Sequence, residues 1–310
     1  MPAFQENVVE KIKSGSIPGL RSIAFCLEDA IRDQSLHQAE ETLKKTLMEL
    51  DQAEIPKNLM PLIFIRVRSP EHLAHVHETF SHVRHMLTGY ILPKFDLSNA
   101  VRYLDTTRRL QRGSLRHIYI MPILESSSIV DVSTRIPTLI KLRDMLKEMR
   151  THILNIRVGC NDFSQVYGLR CPVDCTVYDI GILKEALIDI LSIFAQDYVV
   201  SGPVWNYFGK NTDTAWSRGL VREMEQDLLH GFIGKSAIHP SQVPIIARSL
   251  SVPREDYEDA CSLLDWKDDR LGVAKSVEGN RMNELKCHSK WAEKTKLLGD
   301  IYGLREARLP

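Results

Sequence analysis

The chain has 310 residues, of which 40 are Lys or Arg and 40 are Asp or Glu, so its formal net charge at pH 7 is zero. A balanced charge gives no long-range attraction to nucleic acid or to an anionic membrane, and neither is predicted as a partner. The apolar fraction of 44%, with only 16 Gly and 14 Pro, excludes disordered and fibrous classes.

The N-terminal residues 1–15 contain no apolar segment of secretory type, so a cytoplasmic location is predicted. The most apolar region, 186–204, is interrupted by Asp189, Gln196 and Asp197, and no membrane span is predicted there. The six cysteines form no repeated Cys-x-x-Cys pairs, which indicates reduced thiols with a packing role.

Short apolar runs alternate with helical patterns along most of the chain, and seven β-strands are predicted, each followed by a helix. The strands are 22–27, 62–67, 90–93, 117–124, 153–158, 197–201 and 234–238. The helices are 36–50, 73–87, 97–110, 135–149, 181–195, 212–230 and one that begins near 241. Near-continuous apolar strands are typical of a parallel sheet covered by helices.

Seven such units are one short of a (β/α)8 barrel, a fold of roughly 250 residues. The first strand would have to be a very short one in 1–4, or to lie before the start of this sequence. A doubly wound open sheet is the alternative, but no Gly-x-Gly-x-x-Gly motif follows any strand. We therefore predict an α/β fold, a TIM barrel over 1–250, with a C-terminal helical extension over 251–310 whose helices lie near 254–270 and 281–298.

Polar residues lie at the ends of five consecutive predicted strands. They are Glu28 and Asp29, Arg66 and Arg68, Lys94, Glu125, and Asp162. In a barrel the C-terminal ends of the strands meet at one rim, where active sites are built. Glu125 and Asp162 are hard oxygen donors of the kind that Mg²⁺ prefers, and Arg66 offers a fork for a carboxylate. The alternative is that these are solvated loop residues.

Five histidines, at 72, 75, 77, 82 and 85, lie close together in the sequence and could suggest a metal cluster. They lie off the apolar stripe of one predicted amphipathic helix. A solvated helix face is therefore predicted for them.

Six motifs occur in the order and spacing of the HpcH/HpaI aldolase and citrate lyase β-subunit family, which the chain resembles over residues 20–300. They are Leu27-Glu28-Asp29-Ala30, Arg66-Val67-Arg68, Leu92-Pro93-Lys94, Ile123-Leu124-Glu125-Ser126, Val158-Gly159-x-x-Asp162 and Gly231-Phe232-x-Gly234-Lys235-x-x-Ile238-His239-Pro240-x-Gln242. The last motif is the most specific. The segment from Arg281 to Ala292 most resembles a divergent citrate-lyase-like branch found beside stress and tellurite-resistance operons.

The resemblance implies a Mg²⁺-dependent carbon–carbon lyase that acts on a 3-hydroxy acid or its acyl-coenzyme A thioester and forms homotrimers or hexamers. Glu125 and Asp162 match the metal ligands, and Arg66 matches the arginine that holds the carboxylate of the oxo acid. Glu28 and Asp29 match a pair that contacts metal-bound water.

The resemblance also assigns positive charge at the site to Lys94, and it places the 235–240 loop where relatives bind the outer part of the substrate. Lys235 and His239 are thus candidate substrate or coenzyme A contacts, although a structural role for His239 is equally open. Arg68 stands where the family has Asn, and the extra cation suggests either a more anionic substrate or an ion pair with a rim carboxylate.

Two departures leave the function open. Relatives begin with an Arg-Ser-x-Leu-x-x-Pro strand that helps to bind coenzyme A, of which only Pro2-Ala3 remains. The coenzyme A lyases have a catalytic Asp where this chain has Asn283, so a thioester substrate is in doubt unless the adjacent Glu284 replaces it. The alternatives are a class II pyruvate aldolase acting on free hydroxy-oxo acids and a ligand-binding accessory protein of a stress operon.

Overall fold

The computed structural model describes residues 1–267 and 270–306. The chain divides into two compact units, Met1–Pro244 and Ile245–Pro310. The extension predicted over 251–310 includes residues 268, 269 and 307–310, which lie outside the described residues.

The first unit is built on a six-stranded sheet in which every neighbouring pair is parallel and the strands follow chain order. The strands are β1 Ser22–Cys26, β2 Leu62–Arg66, β3 Gly89–Leu92, β4 Tyr119–Leu124, β5 Ile156–Val158 and β6 Val200–Ser201. These are six of the seven predicted strands. The seventh is reduced to a single parallel bridge between Lys235 and Gly202.

A very short segment occupies the place of the missing first strand. Pro2 forms a parallel bridge with Cys26, whose N–H donates to the Met1 carbonyl at 2.8 Å. The Ala3 N–H donates back to the Cys26 carbonyl at 3.2 Å. With the Lys235 bridge at the other edge, eight parallel segments stand in chain order, which is the predicted (β/α)8 arrangement.

Ten helices begin in the first unit among the described residues. They are α1 Val8–Lys13, α2 Leu36–Gln52, α3 Pro70–Thr79, α4 Ala100–Arg112, α5 Ser127–Val130, α6 Val132–Lys147, α7 Cys160–Val166, α8 Gly181–Phe194, α9 Ala215–His230 and α10 Val243–Ser249. The helix predicted over 73–87 is wrong at its C-terminal end, since α3 stops at Thr79. A 3₁₀ turn at Arg84–Met86 follows it, and apolar spacing of three residues suits such turns as well as an α-helix.

The solvated face predicted for the five histidines is wrong for two of them. His72 and His77 are buried, and only the other three are exposed. The His72 Nε2 atom lies 2.8 Å from the carboxylate of Glu40, and the His77 Nδ1 atom lies 3.0 Å from the Tyr90 hydroxyl. Hydrogen-bond partners on neighbouring elements allow these polar rings to be buried.

Alternation along each strand separates the helix-facing core from the barrel interior. In β2, Ile63 and Ile65 belong to the large core beneath the helices, whereas Phe64 belongs to a small cluster inside the barrel. Arg66 follows Phe64 by two residues and therefore points inward. Because all the strands run in the same direction, their C-terminal ends, which carry the candidate site, lie at one end of the barrel.

The second unit contains α11 Arg254–Leu264 and α12 Leu285–Tyr302. Against the sequence analysis, which predicted only helices after residue 250, it also contains short strands. They are β7 Val252–Pro253 parallel to β10 Leu304–Arg305, and β8 Val273–Lys275 antiparallel to β9 Met282–Glu284. The helix predicted over 281–298 begins only at Leu285, because residues 282–284 form β9. Gly279, at φ +71°, allows the turn that joins β8 to β9.

Asn283 is buried in β9, where it pairs with Ala274. Glu284 is half-buried, and its backbone N–H donates to His288 Nδ1 at 3.0 Å. The catalytic alternatives raised for these two residues stay predictions. None of the helices in the described part of the chain is long and apolar enough to cross a membrane.

Candidate active site

Glu125 directly follows β4 and is buried, with 6% of its surface exposed. Its Oε1 atom accepts a hydrogen bond of 2.8 Å from the backbone N–H of Lys94, the residue after Pro93 at the end of β3. Burial raises the pKa of the Glu125 carboxyl to about 7, and the nearby Asp162 carboxylate contributes to this increase. This glutamate is thus held in a fixed position by the neighbouring strand end.

Asp162 lies in the first turn of α7, immediately after β5. Burial raises the pKa of its carboxyl, as does the negative charge of Asp29, whereas the neighbouring Glu125 lowers it. The approach of the two carboxyls depends on Gly159, because a Cβ atom there would lie 2.3 Å from both Cβ and Oε2 of Glu125. The predicted pair is therefore brought together, and Gly159 leaves it the necessary space.

The donor set fits a magnesium ion better than a transition metal. Two carboxylates of this kind are what the protein commonly supplies to Mg²⁺, the remaining ligands being substrate and water oxygens. Among residues 1–267 and 270–306 there is no group of three or more His, Cys, Asp or Glu side chains that could hold a metal ion. Soft-ligand and histidine-rich metal sites thus find no support in the described part of the chain.

Glu28, Asp29, Arg66 and Lys94 form one network at the same end of the barrel. Glu28 is buried, and its two carboxylate oxygens lie 2.7 Å from Arg66 Nη2 and 2.8 Å from Lys94 Nζ. Asp29 is half-exposed and lies 3.2 Å from each of the same two cations. The structure therefore brings together four residues, the first and last of which, Glu28 and Lys94, are 66 positions apart in the sequence.

Lys94 has a left-handed backbone, with φ +49°, which is uncommon for a residue with a side chain. This conformation turns its N–H towards Glu125 while its side chain reaches Glu28. The backbone strain is of the order of 1–2 kcal/mol and is characteristic of functional sites.

We expect Lys94→Gly to be more stable than Lys94→Met by about 1 kcal/mol, because both variants lose the ammonium and only glycine relieves the left-handed backbone. The measurement is the free energy of unfolding in urea. Lys147, an exposed lysine in α6, gives the matched control. There Lys147→Gly should be less stable than Lys147→Met, because glycine is unfavourable in a helix. Equal stability of the two Lys94 variants would contradict the strained backbone.

Arg68 does not extend the predicted binding surface. Its Nε atom donates to the Leu27 carbonyl at 2.6 Å, its Nη2 atom donates to the Ile31 carbonyl at 2.5 Å, and Nη1 pairs with Asp33. These contacts tie down the loop that carries Glu28. Two interpretations were open for Arg68, an ion pair and a contact with a more anionic substrate. The structure supports the ion pair, which Arg68 forms with Asp33 of this loop.

The substrate contact predicted for Lys235 is corrected by the structure. The side chain is fully buried, and Nζ lies 2.8 Å from Glu223 and 2.9 Å from Asp227 on α9. Tyr178 donates to the other oxygen of Asp227 at 2.5 Å. Because its ammonium is enclosed by two carboxylates, Lys235 stabilises the packing of α9 on the barrel instead of facing a ligand.

His239 caps the 3₁₀ turn Pro240–Gln242, its Nδ1 atom accepting from the Ser241 backbone N–H. Its ring stacks on Phe208 with centroids 4.4 Å apart. These contacts favour the structural one of its two possible roles.

Sequence analysis missed Arg157, the middle residue of β5. It lies inside the barrel, where its Nη2 atom donates to the hydroxyl of Ser236. The signal was present, since a charged residue within the apolar run Ile156–Val158 points to the face opposite to its neighbours. The buried partners of Lys235 were missed too, because nothing in the spacing of Glu223 and Asp227 on α9 marks them as ion-pair partners.

The order of the strands and the position of the carboxylates can be compared with known proteins. A family model for C–C bond lyases of the TIM-barrel fold matches residues 1–304. The chain belongs to this family. The resemblance and the barrel fold predicted from the motifs are thereby confirmed.

Solved structures of this lyase fold include CitE from Mycobacterium tuberculosis in complex with magnesium, acetoacetate and coenzyme A. That structure is 14% identical, with a TM-score of 0.59, over 97% of this chain and 96% of the other. RipC from Yersinia pestis is 15% identical, with a TM-score of 0.53, over 80% of this chain and 91% of the other. The same CitE with magnesium and pyruvate is 15% identical, with a TM-score of 0.53, over 82% and 89%. At these identities the likeness shows the fold alone. No curated protein matches the chain.

Proposed function

We propose that this member of the lyase family is a Mg²⁺-dependent enzyme that cleaves a carbon–carbon bond in a 3-hydroxy acid or its acyl-coenzyme A thioester. The observation that carries the proposal is the pair formed by the buried carboxyl of Glu125 and the half-buried carboxyl of Asp162, for which Gly159 leaves the necessary space. Glu125 and Asp162 would hold the ion. When bound, the ion would supply Lewis-acid stabilisation of the negative charge that develops on oxygen as the bond breaks.

The cations at the site have separate tasks in this proposal. Arg66 would bind the carboxylate of the oxo acid, since a planar guanidinium can form two parallel hydrogen bonds with that group and an ammonium cannot. Its Nε atom is buried without a hydrogen-bond partner, so the side chain retains a donor that can be satisfied by a ligand. Glu28 holds both Arg66 and Lys94 in place, and Lys94 would add positive charge beside the carboxylates.

Two further points of the proposal depend on the relatives. CitE structures with magnesium contain acetoacetate, pyruvate and coenzyme A, which favours a small oxo acid and allows a thioester here. We also propose a cytoplasmic homo-oligomer, a trimer or a hexamer, from the resemblance of the motifs. Gel filtration with light scattering measures that state directly.

The test is a screen with Mg²⁺ for release of pyruvate, glyoxylate or oxaloacetate from a panel of 3-hydroxy acids and their acyl-coenzyme A thioesters. Free hydroxy-oxo acids belong in the same panel, because cleavage of those alone would identify a pyruvate aldolase instead. Binding of oxo acids without any turnover would identify an accessory protein. Either result would overturn the proposed lyase activity.

Arg66→Lys should weaken binding of the preferred oxo acid at least tenfold, about 1.4 kcal/mol, because the bidentate contact is lost while the charge stays. Calorimetry with Mg²⁺ present measures the change. Arg102→Lys, on the exposed face of α4, is the control and should leave the affinity as it is. Unchanged affinity for the oxo acid in Arg66→Lys would show that Arg66 does not bind its carboxylate.

A further inference from the structure

Arg157 is a cation inside the barrel to which the proposed chemistry gives no task. In β5 its neighbours Ile156 and Val158 belong to the helix-facing core, so the side chain of Arg157 points to the interior. In the sheet it lies beside Ile123 of β4 and Ser201 of β6. Ile123 precedes Glu125 by two residues, which puts Arg157 about 7 Å along the strands below the carboxylate pair.

The guanidinium has few partners for a charge in such a place. It donates to the Ser236 hydroxyl, and no Asp or Glu in the described part of the chain forms an ion pair with it. Burial and the nearby positive charge of Arg66 lower the pKa of Arg157 to about 10, although the Glu125 carboxyl opposes this shift, so Arg157 is still a cation at neutral pH. The side chain nevertheless keeps some accessible surface.

The wall of the barrel around Arg157 is unlike the wall opposite. On the side of β2 to β4 the interior is filled by Phe64, Ile91, Met121 and Ile123, the apolar packing usual for TIM barrels. On the side of β5 and β6 the neighbours are the small polar Ser201 and Ser236. The side chains next to the cation on this side are therefore small and carry hydroxyl groups, one of which, that of Ser236, accepts its hydrogen bond.

A mostly buried charge that forms no ion pair is expensive, and proteins pair such groups or use them to bind an ion of opposite sign. Arg66, on the far strand β2, also keeps a buried donor, Nε, without a hydrogen-bond partner. Two guanidiniums that lie within electrostatic range of each other repel, unless an anion lies between them.

We propose that Arg157 forms an inner anion subsite, which binds a second acidic group of the substrate below the one that Arg66 holds. This inference rests on the proposed function and narrows its substrate class to dicarboxylic oxo or hydroxy acids, or acids with an equivalent second anion. Arg157 is then the residue that distinguishes such substrates from monocarboxylic ones.

The test compares two unreactive ligands of equal length, malate and 2-hydroxybutyrate, which differ in carrying a carboxylate or a methyl group at the distal carbon. Both enantiomers of each are titrated calorimetrically into the full chain with Mg²⁺. The wild type should bind the better malate enantiomer at least tenfold more tightly than the better 2-hydroxybutyrate enantiomer. Arg157→Met should bring that ratio close to one, and Arg218→Met, at an exposed position of α9, should leave it unchanged.

The outcomes separate the two proposals. A wild type that binds both ligands equally, or an Arg157→Met variant that keeps the preference, would overturn the inner subsite and leave the proposed function standing. Binding of neither ligand to the wild type with Mg²⁺ would also overturn the inner subsite, and the screen for oxo-acid release then decides the proposed function by itself.

A stability measurement guards against a folding artefact. If Arg157 is kept for binding and not for folding, Arg157→Met should unfold at the same temperature as the wild type or higher, because it removes an unpaired buried charge. A lower unfolding temperature would assign Arg157 a structural role and overturn the inference. Arg157→Lys provides a second variant that keeps a cation, and it should retain a preference for malate between those of the wild type and Arg157→Met.

Discussion

Replacing Lys235 by Met is expected to lower the free energy of unfolding by about 3–5 kcal/mol, because it leaves Glu223 and Asp227 buried without their counter-charge. Urea denaturation at pH 7 measures the difference. Lys147→Met is the matched control, since Lys147 forms an exposed pair with Asp144 and should cost less than about 1 kcal/mol.

The loss in Lys235→Met should shrink as the pH is lowered. Burial already raises the pKa of Glu223 in the wild type, and without the ammonium beside it this carboxyl takes up a proton more readily. A folded-state pKa above the unfolded one makes the folded state gain stability as the pH falls towards the unfolded value. A loss that is small at pH 7, or that grows at lower pH, would show that the ion pair is not what stabilises α9.

Glu125→Gln and Asp162→Asn should each weaken Mg²⁺ binding by at least about 100-fold, since even residues that only support metal ligands commonly contribute 10–100-fold. Calorimetric titration with Mg²⁺ measures this. Each variant should be at least as stable as the wild type without metal, because burial raises the pKa of both carboxyls and a neutral amide removes a charge that is costly to bury.

Gly159→Ala tests the same site without changing any charge. Its Cβ atom would lie 2.3 Å from Glu125 Oε2, so Glu125 must move, and Mg²⁺ binding should be lost together with part of the stability. Gly181, the first residue of α8, gives a glycine control with no atom within 4 Å of its Cβ position and without a positive φ. Full Mg²⁺ affinity in both Glu125→Gln and Asp162→Asn would show that these two residues do not bind the metal.

The sequence by itself determined the barrel order and most of the candidate site. Apolar runs of strand length alternate with amphipathic helices, and this local pattern depends only on which residues lie near one another in the chain. Glu125 and Asp162 could be predicted as a pair because each directly follows a strand, and the ends of parallel strands meet at one rim. The same rule brought Glu28, Arg66 and Lys94 to that rim.

The lengths of the two outer strands were only partly predicted. A very short first strand in 1–4 was one of the two alternatives, and Pro2 contributes one bridge there, whereas the strand predicted over 234–238 contributes only the Lys235 bridge. Whether an apolar run pairs over five residues or over one depends on the backbone that lies beside it, which is distant in sequence. The strands at β8 and β9 were missed for the same reason, since each forms only against the other.

Only the tertiary structure decided which charges face a ligand and which are internal. Lys235 lies in the most specific motif of the chain, yet its partners are two carboxylates of α9. Arg157 looks like an interruption of a strand, yet it lies inside the barrel, where it forms no ion pair with the described residues. Residue spacing predicts the face on which a side chain lies. The environment on that face, which sets the cost of burying a charge, is assembled from distant segments and exists only in the folded chain.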